Sequence, residues 1–223
     1  MATTSRERSS LTVLHGIPYK VYGRMTRLDS NRHLRMTYYD GTLEIVSPHL
    51  LLHESPSTRI ARIVLAVAER FEVPYHETST YTFRKGGDGP FKGKGKEPDE
   101  SFYLGSLDRV PRDRDPDLDA GDPPPDLWIE VDNRVSSAGR LPVYVALGVP
   151  EVWRYRARSK KLQFLALAGL AYEPIQASRS LPMLTPALVF EALKLGDGLF
   201  DSEWSSRLRE WVDRRFPRPG PAR

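Results

Sequence analysis

Apolar and polar positions alternate with a period of two in several short stretches of the chain. In DLWIEVD (126–132), Leu127, Ile129 and Val131 fall on one face and Trp128, Glu130 and Asp132 on the other, which predicts a strand. LRMTYYDGTLEIVSP predicts two strands joined at Asp40-Gly41, a strong hairpin signal, with Pro48 ending the second. HETSTYTFR and DESFYLG each read as a strand. EVWRYRARSKKLQFLAL reads as two strands about a turn at 158–160, and LAYEPIQ adds one more.

Other stretches carry the helical period. Ile60, Ile63, Val64, Val67 and Phe71 make one stripe after Ser55-Pro56, a pair suited to a helix start. Tyr19, Tyr22, Met25 and Leu28 predict a short amphipathic helix. LPVYVALGVP predicts a helix with Pro142 in its first turn, closed by Gly148. LTPALVFEALKLG reads as a helix stopped by Gly196. A final one carries Trp204, Leu208, Trp211 and Phe216, a stripe that is either core or a partner surface. Strands interspersed with helices, without an internal repeat or linker, predict one mixed α/β domain.

The chain has 223 residues, enough for a substantial core, and its 39% apolar and 28% charged residues fit a globular fold. No apolar run reaches the ~18 residues of a membrane span, and the polar start carries no secretory h-region. There is no cysteine, so thiolate metal sites and disulfides are excluded and a cytoplasmic setting is the expectation. The net charge of +4 is too mild to name a partner by itself. Its distribution says more. RKGGDGPFKGKGK (84–96) holds five basic residues against one acid, which suggests a loop whose Lys92, Lys94 and Lys96 either grip phosphate or are simply solvated.

The acids carry the chemistry. Glu130 and Asp132 share a strand face with Trp128, which suits the floor of a cleft. Asp99 opens another strand, and Pro98 fixes how the chain enters it. If the two strands are neighbours, Asp99 and Glu130 come within reach of one divalent ion. Mg²⁺ is commonly held by one or two carboxylates and keeps waters for a phosphate and a nucleophile.

DGTLEIVSP (40–48), LHE (52–54), EPDESFY (97–103), PPPDLWIEVD (123–132) and LPVYVALGVPEVWRY (141–155) occur in an order that resembles the Uma-type family of the restriction-endonuclease-like PD-(D/E)XK superfamily, from roughly residue 40 to 192. The resemblance implies an α/β fold with a mixed sheet core flanked by helices, an N-terminal hairpin and C-terminal helices. It implies a DNA endonuclease using Mg²⁺ or Mn²⁺ held by Asp99 and Glu130. Asp132 stands where the superfamily's usual lysine would be, as a supporting catalytic group. Arg140 stands where family members bring a lysine from the following helix; arginine cannot act as a base but stabilises phosphate charge. Glu44 and His53 match supporting positions.

The expected organisation is a flexible arm at 1–15, a nuclease-like domain at 16–196, an amphipathic helix at 197–216 against the domain or a partner, and a disordered tail at 217–223. A homodimer would suit double-strand cutting. Two alternatives stay open: a lapsed nuclease fold that only binds nucleic acid, and a structural or assembly module.

Overall fold

The structure, a computed structural model, describes residues 11–31, 34–46, 56–78, 81–132 and 137–217. Pro48, His53 and the tail from 218 onward lie outside the described residues. Two sheets form the frame. The first contains β1 (Leu11–Leu14), β2 (Arg35–Tyr39), β3 (Thr42–Val46), β5 (Phe83–Gly86) and β6 (Gly93–Lys96). The second contains β4 (His76–Glu77), β7 (Glu100–Tyr103), β8 (Leu127–Asp132), β9 (Glu151–Arg156), β10 (Lys161–Ala168) and β11 (Ala171–Ile175). The first is antiparallel in the order β1-β3-β2-β6-β5. The second runs β11-β10-β9-β8-β7-β4 and is mixed, because β8 and β9 are parallel. Five α-helices accompany them among the described residues: α1 (Tyr19–Met25), α2 (Pro56–Arg70), α3 (Leu141–Leu147), α4 (Pro186–Lys194) and α5 (Asp201–Arg215). None is long and apolar enough to cross a membrane.

Each face of the second sheet buries what its alternation requires. Leu127 and Ile129 of β8, with Phe102, Trp153 and Phe164, pack under α2, α4 and α5. The indole of Trp153 stacks on Phe164 at 3.9 Å. The stripe on α5 belongs to this core: Trp204, Leu208 and Trp211 are buried there, so the stripe's partner is the domain itself. On the other face, Trp128 meets Phe83 of β5 and the α3 residues Val143, Tyr144 and Leu147. The third cluster joins Tyr22 of α1 to Met36, Tyr38 and Leu43 on the outer face of the first sheet. The order through the molecule is therefore helices, second sheet, first sheet with α3, then α1.

Three local expectations change. HETSTYTFR forms two strands in different sheets, because the Tyr81 amide turns back onto the Thr78 carbonyl at 3.1 Å and redirects the chain. Leu11–Leu14, within the segment expected as a free arm, pairs along β3. The Gly/Lys segment is not a loop at Gly93–Lys96: it is β6, between β2 and β5. Its alternation has a packing cause. A Cβ on Gly95 would lie 2.1 Å from the Tyr22 hydroxyl, and one on Gly93 2.5 Å from the Tyr19 ring, so only glycine lets α1 sit on this strand. The intervening Lys94 and Lys96 face the opposite way.

Candidate active site

The acids come together because β7 and β8 are neighbours. Glu100 pairs with Ile129 and Ser101 with Trp128; the same register, continued by one residue, sets Asp99 across from Glu130. Asp99 Oδ2 accepts the Val131 amide at 2.8 Å, which fixes its carboxylate beside the backbone next to Glu130. Arg35 of β2 holds the approach, donating to the Pro98 carbonyl at 2.7 Å and standing 3.6 Å from Asp99 Oδ1 and 3.5 Å from Glu97 Oε1.

Glu130 is buried on the Trp128 face. Burial pushes its carboxyl up to about 7; the neighbouring Asp99 adds to the rise, and Lys96 and Arg140 oppose it. Its Oε1 lies 3.3 Å from Lys96 Nζ, an ion contact whose geometry falls short of a hydrogen bond, and has no hydrogen-bond partner among the described residues. The hydroxyl of Tyr144 and the indole N–H of Trp128 are also buried without such a partner. These two rings meet edge to face at 5.3 Å. Burial, reinforced by the Glu130 charge, raises the Tyr144 phenol well above its ordinary value, so it stays a donor.

The first sheet supplies the rest. Thr37 pairs with both Glu44 and Lys96, so Glu44, Thr37 and Lys96 form one row across β3, β2 and β6. That row faces the second sheet. Arg140, at the end of a 3-10 turn over Ser137–Arg140, donates from Nε to Glu44 Oε2 at 2.8 Å. Burial opposes the Arg140 charge, but the hydrogen bond it donates to Glu44 and the nearby Tyr144 and Glu130 outweigh it and raise the guanidinium's pKa.

The expected residues thus fall into three groups. Asp99, Glu130, Glu44 and Arg140 gather at one seam between the sheets. Asp132 shares the Glu130 face, yet both its oxygens are engaged: Oδ1 accepts the Ser137 amide and Oδ2 accepts Arg154 Nη2, each at 2.7 Å. Lys92 and Lys94 pair with Asp40 of the hairpin turn at 3.6 and 3.3 Å, while Lys96 turns inward to Glu130. His53 lies outside the described residues. Sequence reasoning missed the inward path of Lys96 and the roles of Arg35 and Tyr144; the period-two GKGK was the signal for the first.

No cluster of three or more His, Asp or Glu suited to a metal occurs among the described residues. The donor set still fits Mg²⁺ or Mn²⁺, which take one or two carboxylates with waters, and Glu130 Oε1 is a buried carboxyl oxygen without a hydrogen bond among the described residues. Clefts of about 760 Å³ beside Tyr75 and Arg112 and about 610 Å³ beside Arg24 and Asp119 lie apart from this seam.

Paired sheets flanked by helices, with Pro-Asp just before one strand and Glu on its neighbour, are consistent with a restriction-endonuclease-like fold. The chain belongs to the Uma2 family ("Putative restriction endonuclease"), whose model matches residues 22–196, and thereby to the restriction-endonuclease-like superfamily. That superfamily typically uses divalent metals. No curated protein matches the chain.

Proposed function

We propose that the chain is a divalent-metal-dependent endonuclease that hydrolyses phosphodiester bonds in DNA. The observation that supports it most is the juxtaposition of Asp99 with Glu130, whose buried Oε1 lacks a hydrogen bond among the described residues, in a chain of the Uma2 family. Asp99 and Glu130 would hold Mg²⁺ or Mn²⁺. Such an ion, when bound, supplies a water of lowered pKa and charge stabilisation for the phosphoryl group.

The chain's own groups prepare the site. The Val131 amide and Arg35 fix the Asp99 carboxylate. Glu44 engages Arg140 through Nε, and the guanidinium carries further N–H donors for a phosphate oxygen. The protonated Tyr144 hydroxyl is a donor at the edge of the same seam. Asp132 acts through structure: it anchors the turn that ends at Arg140.

The test is cleavage of supercoiled plasmid with Mg²⁺ or Mn²⁺. Wild-type chain nicks or linearises it, whereas Asp99→Ala and Glu130→Ala do not; cleavage that survives both substitutions refutes the assignment. A second reading, DNA binding without hydrolysis, draws on the cations already facing the two acids, Arg35 and Lys96. Salt-sensitive binding without divalent ions, together with no cleavage under any of them, favours it.

A further inference from the structure

We propose that Lys96 is the working cation of this site: it neutralises Glu130 while no metal is bound and turns onto the scissile phosphate when Glu130 takes a divalent ion. The inference rests on the nuclease reading above and adds a catalytic residue to it.

Position carries the first half. The Lys96 and Glu130 side chains are only 5% and 4% exposed, and Nζ stands 3.3 Å from Oε1, the oxygen left without a hydrogen bond among the described residues. The ammonium therefore occupies the neighbourhood a metal would need. Lys96 would be repelled by a divalent cation held by Glu130, because two like charges cannot share one carboxylate cheaply.

Supply carries the second half. Asp132, on the same strand face as Glu130, is engaged by Ser137 and Arg154. Arg140 commits its Nε to Glu44. Lys96 donates to the Glu97 carbonyl, and an ammonium has three N–H donors. Its backbone is held between Thr37 and Phe83, so the stem is anchored while the four-carbon chain lets Nζ pivot. Tyr22 against Gly95 fixes the strand from behind. The ordinary alternative is a static ion pair that only secures Glu130, and it makes the opposite forecast for metal binding.

Lys96→Met and Lys96→Gln decide between them, the second retaining a donor should the first fail to fold; thermal melting checks both. Mn²⁺ affinity is read by titration calorimetry as a function of pH and compared on the alkaline plateau, where Glu130 is ionised in every variant, and turnover by plasmid cleavage. Expected is Mn²⁺ binding at least about threefold tighter in the variants, since a repelling charge is gone. Turnover falls by about a hundredfold with KM within about threefold, as for loss of one transition-state donor, and Lys96→Arg recovers part of it. Unchanged or weaker Mn²⁺ binding overturns the proposal, as does kcat within about threefold of wild type. Should wild type bind Mn²⁺ and cleave no DNA, the nuclease reading falls separately. The Mn²⁺ comparison then still decides whether Lys96 stands in for the metal.

Discussion

Arg154 and Asp132 form a buried ion pair at 2.7 Å, and the same aspartate caps the turn leading to Arg140. Removing one partner of such a pair strands the other charge in the interior. Asp132→Ala is expected to destabilise the chain by about 3–5 kcal/mol in urea unfolding. Mn²⁺ affinity, measured on the folded fraction, should hardly change. A variant of unaltered stability that no longer binds Mn²⁺ would instead make Asp132 a ligand.

The Glu44–Arg140 pair is less enclosed, with Glu44 31% exposed. Glu44→Gln should therefore cost about 1 kcal/mol or less. Arg140→Ala should lower cleavage about a hundredfold, the scale of one lost charge-stabilising donor. Urea unfolding checks the first and plasmid cleavage kinetics the second. A gain of cleavage in Arg140→Lys over an inactive wild type would mark a lapsed enzyme.

Glu130 makes stability fall as pH rises. Its carboxyl goes from 4.5 in the unfolded chain to about 7 in the folded one, so between these values the folded state holds a proton that the unfolded state lacks. Its contribution is fully present below 4.5 and lost as pH climbs through about 7. The size is about 3 kcal/mol across the window. Glu97, raised chiefly by burial, acts in the same direction. Denaturation curves of wild type and Glu130→Gln, compared over this range, should diverge with that slope. Mn²⁺ affinity of the wild type should grow as pH passes about 7, because the ligand must be ionised.

Gly95→Ala tests the seating of β6. Its Cβ would meet Tyr22 atoms at 2.1–2.6 Å, and Tyr22 is fully buried, so α1 and the strand must part. A loss of about 1–3 kcal/mol is expected in thermal or urea unfolding. Cleavage should drop as well, because Lys96 is the next residue. Gly105→Ala, where a Cβ meets nothing within 4 Å, is the control.

Much of this was written in local pattern. The period of two in DLWIEVD assigned both faces of β8 correctly, and Asp40-Gly41 joins β2 to β3 with positive φ at both positions, 41° and 91°. Pro142 and Gly148 bound α3 as their chemistry requires. What stayed hidden depends on partners distant in the chain. Lys96 looked like part of a solvated loop because glycines alternate with the lysines before it, and only the Tyr19 and Tyr22 rings explain them. The acid of GVPEVWRY resembled a family marker without a physical role. In the fold, Glu151 accepts Trp153 Nε1 at 2.6 Å and the Arg179 and Ser180 amides at 2.9 and 3.0 Å, tying β9 to a distant loop. Asp126 of PPPD likewise receives the Leu104 and Gly105 amides at 2.7 and 2.8 Å.

The Glu100–Ile129 pairing also bears on how this protein could fail. Were β7 to shift along β8 by a single position, every side chain on it would exchange faces, and Asp99 would swing toward the helices while Phe102 left them. Spectroscopic helix and sheet content would barely register such a misthreaded chain. Loss of function could thus arrive in a molecule that still looks fully folded.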